Sequence, residues 1–190
     1  MFLEIVLKPL LFGSIFGPFF GDFCPNIERM RLGLILFVVL ACAECWGFSP
    51  DAFTRASAAT GIPVELLLAI SHVESGFYPS AINIAGQSFL PSSRYEAEWI
   101  LKRSGDNVDI GLMQINWRHW GKRLGLSKLE LLDPWLNVLL GARILENCIK
   151  VSGSWWKGVG LYHSVNESRQ REYIEKVWRS YRRLIVIMRK

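Results

Sequence analysis

Residues 62–74 read IPVELLLAISHVE and are followed at once by Ser75-Gly76, so an apolar helix meets a hard stop. No other feature of the chain restricts its fold as much. Pro63 suits the first turn, where its missing N–H would have no partner anyway. Leu66, Ile70 and Val73 recur at helical spacing, and Leu67 and Leu68 widen the apolar face. Ser75-Gly76 ends the helix and Tyr78-Pro79 prevents it from resuming. Glu74 is thereby held at the rim of an apolar element. That setting disfavours a charged carboxylate and raises its pKa, which suits a general acid near neutral pH. On position alone, the plainer reading is a solvated glutamate at a helix end.

Two later segments add polar groups. In residues 109–116, DIGLMQIN, Gly111, Leu112 and Met113 precede Gln114 and Asn116, which stand at alternate positions and put two amides on one face. Amides that donate and accept are good sugar readers, although an amphipathic core segment with two surface amides has the same pattern. Residues 160–164, GLYHS, place the phenol of Tyr162 after what reads as a tight glycine turn, or else as a half-buried core tyrosine.

The coarse reading is almost all helix. Helices are expected over 50–60, 63–74, 94–103, 117–124, 128–132, 134–151, 155–162 and 172–188, with no run of alternating strand signals and no repeats. Trp117, Trp120, Trp155 and Trp156 can fill core or offer aromatic faces to a sugar. The apolar run 185–188 is too short to span a membrane.

In order and spacing these segments resemble the soluble lytic transglycosylase family, which has a lysozyme-like fold. The matching residues are Glu74-Ser75-Gly76, Pro79-Ser80-Ala81, the stretch from Gly111 to Asn116, Asp133-Pro134, Asn137, Gly141-Ala142 and Tyr162. The small transglycosylases that accompany conjugation, type IV and type III secretion machines are especially similar. They too carry an Ala-Ile-Asn segment, here Ala81-Ile82-Asn83, and an insertion, here residues 86–108. The resemblance covers roughly residues 49–181 and implies a mainly α, lysozyme-like single domain.

The front of the chain is where hydrophobicity concentrates. Arg29-Met30-Arg31, the apolar residues 32–40 and Ala41-Cys42-Ala43 have the layout of a secretory signal. We expect a leader over 1–43, with signal peptide 30–43 behind an upstream extension 1–29, and an exported domain over 44–190 in the periplasm. Met30 would be a natural start, and a first membrane segment or a lipoprotein acylated at Cys42 are the competing readings. Any membrane contact would come through an uncleaved leader. Cleavage after Ala43 leaves Cys45 and Cys148, an even count for an oxidising compartment, and we expect them to pair. Relatives of this kind often place the partner cysteine just after Asp-Pro, where this chain has Trp135.

The 190-residue chain carries 22 Lys+Arg against 17 Asp+Glu, a formal net charge of +5. A basic surface fits an anionic polymer such as peptidoglycan. Nucleic acid would need a dense basic stripe, and only Arg182-Arg183 and Arg189-Lys190 cluster. The three His are far apart and no Cys-x-x-Cys pair occurs, so neither a metal site nor a cofactor is expected.

By resemblance, Glu74 protonates the oxygen between N-acetylmuramic acid and N-acetylglucosamine. The same carboxylate then takes the proton of the muramoyl C6 hydroxyl, which closes on C1 to give a 1,6-anhydro end. Gln114 and Asn116 would bind sugar or N-acetyl groups, Tyr162 would hydrogen-bond Glu74, and Ser75 would support the carboxylate or touch substrate. The implied role is local wall opening for a conjugation or secretion apparatus. A hydrolytic muramidase would need a second acid, with Asp106 and Asp109 nearest, and we expect neither to be essential. A wall-binding assembly factor without turnover is a third reading. The family's tyrosine is usually followed by Asn, a small residue and Gly; here His163, Ser164 and Val165 stand there, and the plainer reading of His163 is a surface histidine.

Overall fold

Proline and glycine bracket the glutamate-bearing helix as expected, one residue further along. The computed structural model describes residues 50–188. Helix α1 spans Pro50–Thr60 and α2 spans Val64–Ser75. Pro63 occupies the N-cap, and the N–H of Gly76, in the left-handed region at φ 61°, closes the last turn onto the His72 carbonyl. Leu67, Ala69 and Ile70 are fully buried, so α2 is a core helix.

The chain then enters a sheet that the sequence reading missed. Strands β1 (Ile82–Ile84), β2 (Gln87–Phe89), β3 (Val108–Ile110) and β4 (Ile115–Asn116) form an antiparallel sheet in the order β2-β1-β3-β4. Two- and three-residue strands hold barely one alternation each, too little for a period-2 signal. The alternation is nevertheless real. Ile82 pairs with Ile110, and Ile110 with Ile115, in a buried apolar row. Their neighbours Asn83, Asp109 and Asn116 pair in a polar row on the opposite face. The β1–β2 turn uses Ala85 at φ 52° and Gly86 at φ 88°, the pair of left-handed residues that matches strand twist in a two-residue hairpin. The insertion thus supplies β2, helix α3 (Arg94–Arg103) and the return into β3.

Past β4, the helix expected over 117–124 is a π turn, Trp117–Gly121, running into a 3-10 turn, Lys122–Leu124. Asn116 caps it by accepting the His119 N–H at 3.0 Å. The piece expected over 128–132 reduces to a 3-10 turn, Glu130–Leu132. Helix α4 (Pro134–Ser152) starts on Asp133, whose carboxylate takes the Leu136 N–H at 2.7 Å. Helix α5 (Trp155–His163) includes Gly160, Leu161 and Tyr162. Gly160 is therefore inside a helix, not a turn; a Cβ there would lie 3.0 Å from Gln170 Cβ, so its smallness serves helix packing. Helix α6 (Glu167–Met188) begins five residues earlier than expected, because Asn166 accepts the Arg169 N–H at 3.1 Å and caps it. Helix α6 packs on α2, and α4 packs on α1 and α5. The described residues are thus mainly helical, and no helix among them is long and apolar enough to cross a membrane.

A buried amide joins these parts. Asn137, 1% exposed on α4, accepts the Met113 N–H at 2.8 Å. It donates to the carbonyls of Ile110 and Leu131, both at 2.8 Å. Gly111 lies against it at φ 82°, and a Cβ there would stand 2.3 Å from Asn137 Nδ2. We predict that Asn137→Ala, which strands one N–H and two carbonyls in the core, destabilises the protein by about 3 kcal/mol. Urea unfolding measures this; a loss below about 1 kcal/mol would mean that water replaces the amide.

Candidate active site

Glu74 Cα belongs to the last turn of a core helix, but its side chain, 15% exposed, reaches a cleft of about 610 Å³. The cleft is also lined by Asn83, Asp109 and Asn116 from the polar face of the sheet, by Gln114 from the turn before β4, and by Tyr162 and His163 from α5. Backbone geometry explains the convergence. Gly111 and Gln114, at φ 82° and 45°, fold residues 111–114 into a tight turn closed by Gln114 N–H to the Gly111 carbonyl at 3.1 Å. Leu112 and Met113 drive it into the core, where both are fully buried. Gln114 is left on the cleft side, with Nε2 donating to the carbonyls of Gly111 and Ala81 at 2.9 and 3.1 Å.

The residues expected at the site divide into two groups. Glu74, Gln114, Asn116 and Tyr162 line the cleft. Ser75, Gly111, Leu112 and Met113 stand behind it and shape it. Ser75 does not support the carboxylate: its hydroxyl lies 3.0 Å from the carbonyls of Ser71 and Leu112, fastening the end of α2 to the turn. Tyr162 does not bond Glu74 either. Its hydroxyl donates to the Met113 carbonyl at 2.7 Å, in the same residue whose N–H bonds Asn137.

The phenol that does bond Glu74 is Tyr173, which donates to Oε1 at 2.6 Å. In the sequence it is one more residue of the last helix. Its only trace there is the spacing of Tyr173, Val177 and Ser180, the three buried positions of α6, which marks a core-facing stripe without showing what the phenol meets. The His163 imidazole stacks on this ring, with centroids 4.3 Å apart and planes 3° from parallel. Its Nδ1 lies 3.9 Å from Glu74 Oε1. His163 thus lines the cleft while lying at the surface, its side chain 42% exposed, in keeping with the surface position expected.

Burial raises the Glu74 pKa to about 7; the Tyr173 hydrogen bond pulls it down and the nearby Asp109 charge pushes it up. Asp109 is itself raised, first by burial, against the opposing bond from Asn116 Nδ2 at 2.8 Å. His163 is lowered by burial, with Lys176 and Arg169 adding repulsion. Burial also holds Tyr162 and Tyr173 well above the ordinary phenol range, so both stay protonated and Tyr173 keeps a proton to donate to an ionised Glu74. Asp106 is on the surface, 2.7 Å from Lys122, away from the cleft lining. Of the tryptophans considered, Trp120 lines the cleft. Trp117 is anchored by its indole N–H to the Leu126 carbonyl at 2.8 Å, and Trp156 packs edge-on against Trp178. Cys148 is half-buried in the cleft wall, and its expected partner Cys45 lies outside the described residues.

Residues 51–183 match the Transglycosylase SLT domain family. The chain is 32% identical over 157 residues to "Invasion protein IagB" of Salmonella typhimurium, covering 79% of this chain and 82% of that one. It is 30% identical over 167 residues to "Protein IpgF" of Shigella flexneri, covering 83% and 93%. Over 91 residues it is 34% identical to "Type IV secretion system protein virB1" of Brucella abortus, covering 45% and 38%. With the family match running from α1 into α6 and enclosing every residue of the cleft, the chain belongs to the transglycosylase SLT family and is a peptidoglycan lytic transglycosylase of mainly α, lysozyme-like fold.

Proposed function

We propose that Glu74 alone supplies both proton transfers of a non-hydrolytic cleavage between N-acetylmuramic acid and N-acetylglucosamine. The observation that carries this reading is a carboxyl raised to about 7, held by one phenol at 2.6 Å in the wall of the cleft. Near neutrality such a group is protonated often enough to act as acid, and its conjugate base is strong enough to take a proton back. Glu74 gives its proton to the glycosidic oxygen as the C1–O bond breaks, releasing the next sugar with a free 4-hydroxyl. The ionised Glu74 then accepts the C6 hydroxyl proton as O6 bonds to C1. The muramoyl end becomes 1,6-anhydro, no water is consumed, and Glu74 ends protonated as it began. Tyr173 steadies the ionised form between the two steps, and Gln114 and Asn116 offer amides to the sugar.

The same reading places the enzyme in the periplasm, exported by the 1–43 leader, where it opens the wall locally for a secretion or conjugation apparatus. The names of two relatives, an invasion protein and a type IV secretion system protein, support this setting.

Mass spectrometry of the soluble products from peptidoglycan is the direct test. Anhydromuropeptides that borohydride does not reduce are expected, and reducible fragments one water heavier would establish a muramidase instead. Glu74→Gln should lower kcat by at least about 100-fold, the lower range for a general acid–base group, with the fold intact by circular dichroism. Asp109 shares the cleft and so remains the group a hydrolytic mechanism would recruit. Asp109→Asn should keep anhydro products and most of the rate; a loss as deep as that of Glu74→Gln would overturn the single-carboxylate scheme.

The raised pKa sets two pH dependences. Activity on the alkaline side should fall as Glu74 loses its proton near pH 7. Tyr173→Phe removes a bond that favours the ionised form, so it should move that limb to higher pH. The folded protein holds a proton on Glu74 that the unfolded chain releases from about 4.5 upward, so this residue lowers stability as pH rises from about 4.5 through 7. Glu74→Gln should therefore be more stable than the native protein at pH 8, by up to about 3 kcal/mol. Equal melting curves at pH 8 would show that burial does not raise the Glu74 pKa in the folded protein.

A further inference from the structure

Glu74 and His163 line a second cavity of about 370 Å³ as well as the cleft. The rest of its wall is built mainly by α6. Arg169, Glu172, Tyr173 and Lys176 stand at positions i, i+3, i+4 and i+7 of that helix and so share one face. Glu172 has both cations at pairing distance in sequence, yet among the described residues neither Arg169 nor Lys176 lies within 4.0 Å of a carboxylate. Both act on His163 through space, which marks them as facing the same region. The cavity therefore sets two cations that form no ion pair among the described residues against two acids, Glu172 and the proposed acid–base group Glu74, whose carboxyl burial favours in its neutral form.

We infer that this cavity is a carboxylate-binding subsite for the acidic substituent that muramoyl residues carry on O3, either the lactyl group itself or the peptide stem attached to it. The inference rests on Glu74 standing at the scissile bond. That bond leaves from C1 of the muramoyl ring, and the substituent is on C3 of the same ring, two ring atoms away. A muramoyl residue placed with C1 at Glu74 projects an anion from a point next to the cavity that Glu74 also lines. Arg offers a planar fork for a carboxylate, and Lys a mobile point charge. The stacked His163 and Tyr173 rings give that side of the site an apolar wall. The arrangement would favour muramoyl over N-acetylglucosaminyl residues at the cleavage point, since the latter carry no acid there.

Calorimetric titration of Glu74→Gln protein tests this without turnover, using chitohexaose, amidase-stripped glycan strands with free lactyl carboxylates, and stem-bearing strands. Adding Arg169→Gln and Lys176→Gln should weaken binding of at least one carboxylate ligand roughly tenfold at low salt, the sum expected of two exposed charge contacts. Chitohexaose should change by about twofold or less, and the discrimination should shrink in high salt. Glu172→Gln should move binding the other way, which a loss of fold would not. The strand type that loses affinity identifies the lactyl or the stem carboxylate as the ligand. An equal loss on chitohexaose, or no loss on either carboxylate ligand, would overturn the subsite. Failure of the single-carboxylate mechanism would appear separately, as the absence of anhydro ends from the native enzyme.

Discussion

The side-chain amide of Asn137 is the constraint on which the site's geometry depends. It holds the end of β3, the 3-10 turn at 130–132 and the turn at 111–114 against α4 through three bonds of 2.8 Å. In a buried setting such a fully satisfied group is rigid, because each bond could be exchanged only for an unpaired polar atom. The turn in turn serves as a reference for two helices. Ser75 ties α2 to the Leu112 carbonyl, and Tyr162 ties α5 to the Met113 carbonyl. Glu74 is one residue from the first of these ties. Its position in the cleft is therefore set by backbone oxygens, which have little freedom to move.

Within that frame the chemistry of Glu74 is a balance of opposed effects. Desolvation alone would push a buried carboxyl higher, and Asp109 adds to it; the Tyr173 bond opposes both. A charge-assisted hydrogen bond contributes about 1.5–3 kcal/mol, and a pKa unit corresponds to about 1.4 kcal/mol. One short bond from a neutral phenol is thus enough to move the group by one or two units. Because burial keeps Tyr173 protonated, the bond persists through both states of the carboxyl. His163, lowered below its ordinary value, adds little positive charge near neutrality, so it does not undo the desolvation that keeps Glu74 available as an acid.

The helices were legible in the sequence because their ends carry local signals that need no tertiary context. Pro63 with Gly76, and Asp133-Pro134 with Gly153, are stop and start chemistry written in adjacent residues. The 94–103 helix carries such a signal too, starting on Ser93, whose hydroxyl accepts the Glu96 N–H at 3.1 Å. The start of α6 was misplaced where Asn166, an equally good cap, went unread. The sheet was illegible because its evidence is pairing between segments, as in Ile82 against Ile110, and because Ala85 gives no hint of its left-handed conformation. At the site, Glu74, Gln114 and Asn116 could be picked out by residue type. Partners could not. Tyr173 lies 99 residues from Glu74 along the chain, and the choice between two tyrosines was decided by which one the 111–114 turn had already engaged.

The insertion shows how such a cleft can vary without losing its floor. Its ends are closed by a strand pair, Ile84 with Val108, directly beside the pairs that bring Asn83 opposite Asp109 and Ile82 opposite Ile110. Closure of this loop costs entropy that grows only slowly with its length, and the ladder that meets the cost also forms the cleft's polar row. Of the residues beyond that closure, Asn107 still reaches the polar row, its Oδ1 accepting from Asn116 Nδ2 at 3.0 Å. In this chain they carry β2 and α3, with Leu90, Tyr95 and Trp99 largely exposed and Arg103 lying 4.0 Å over the Trp99 ring. The insertion itself lends no residue to the cleft lining, whereas the strands that its ends hold in register supply Asn83, Asp109 and Asn116 to the cleft that Glu74 enters from α2.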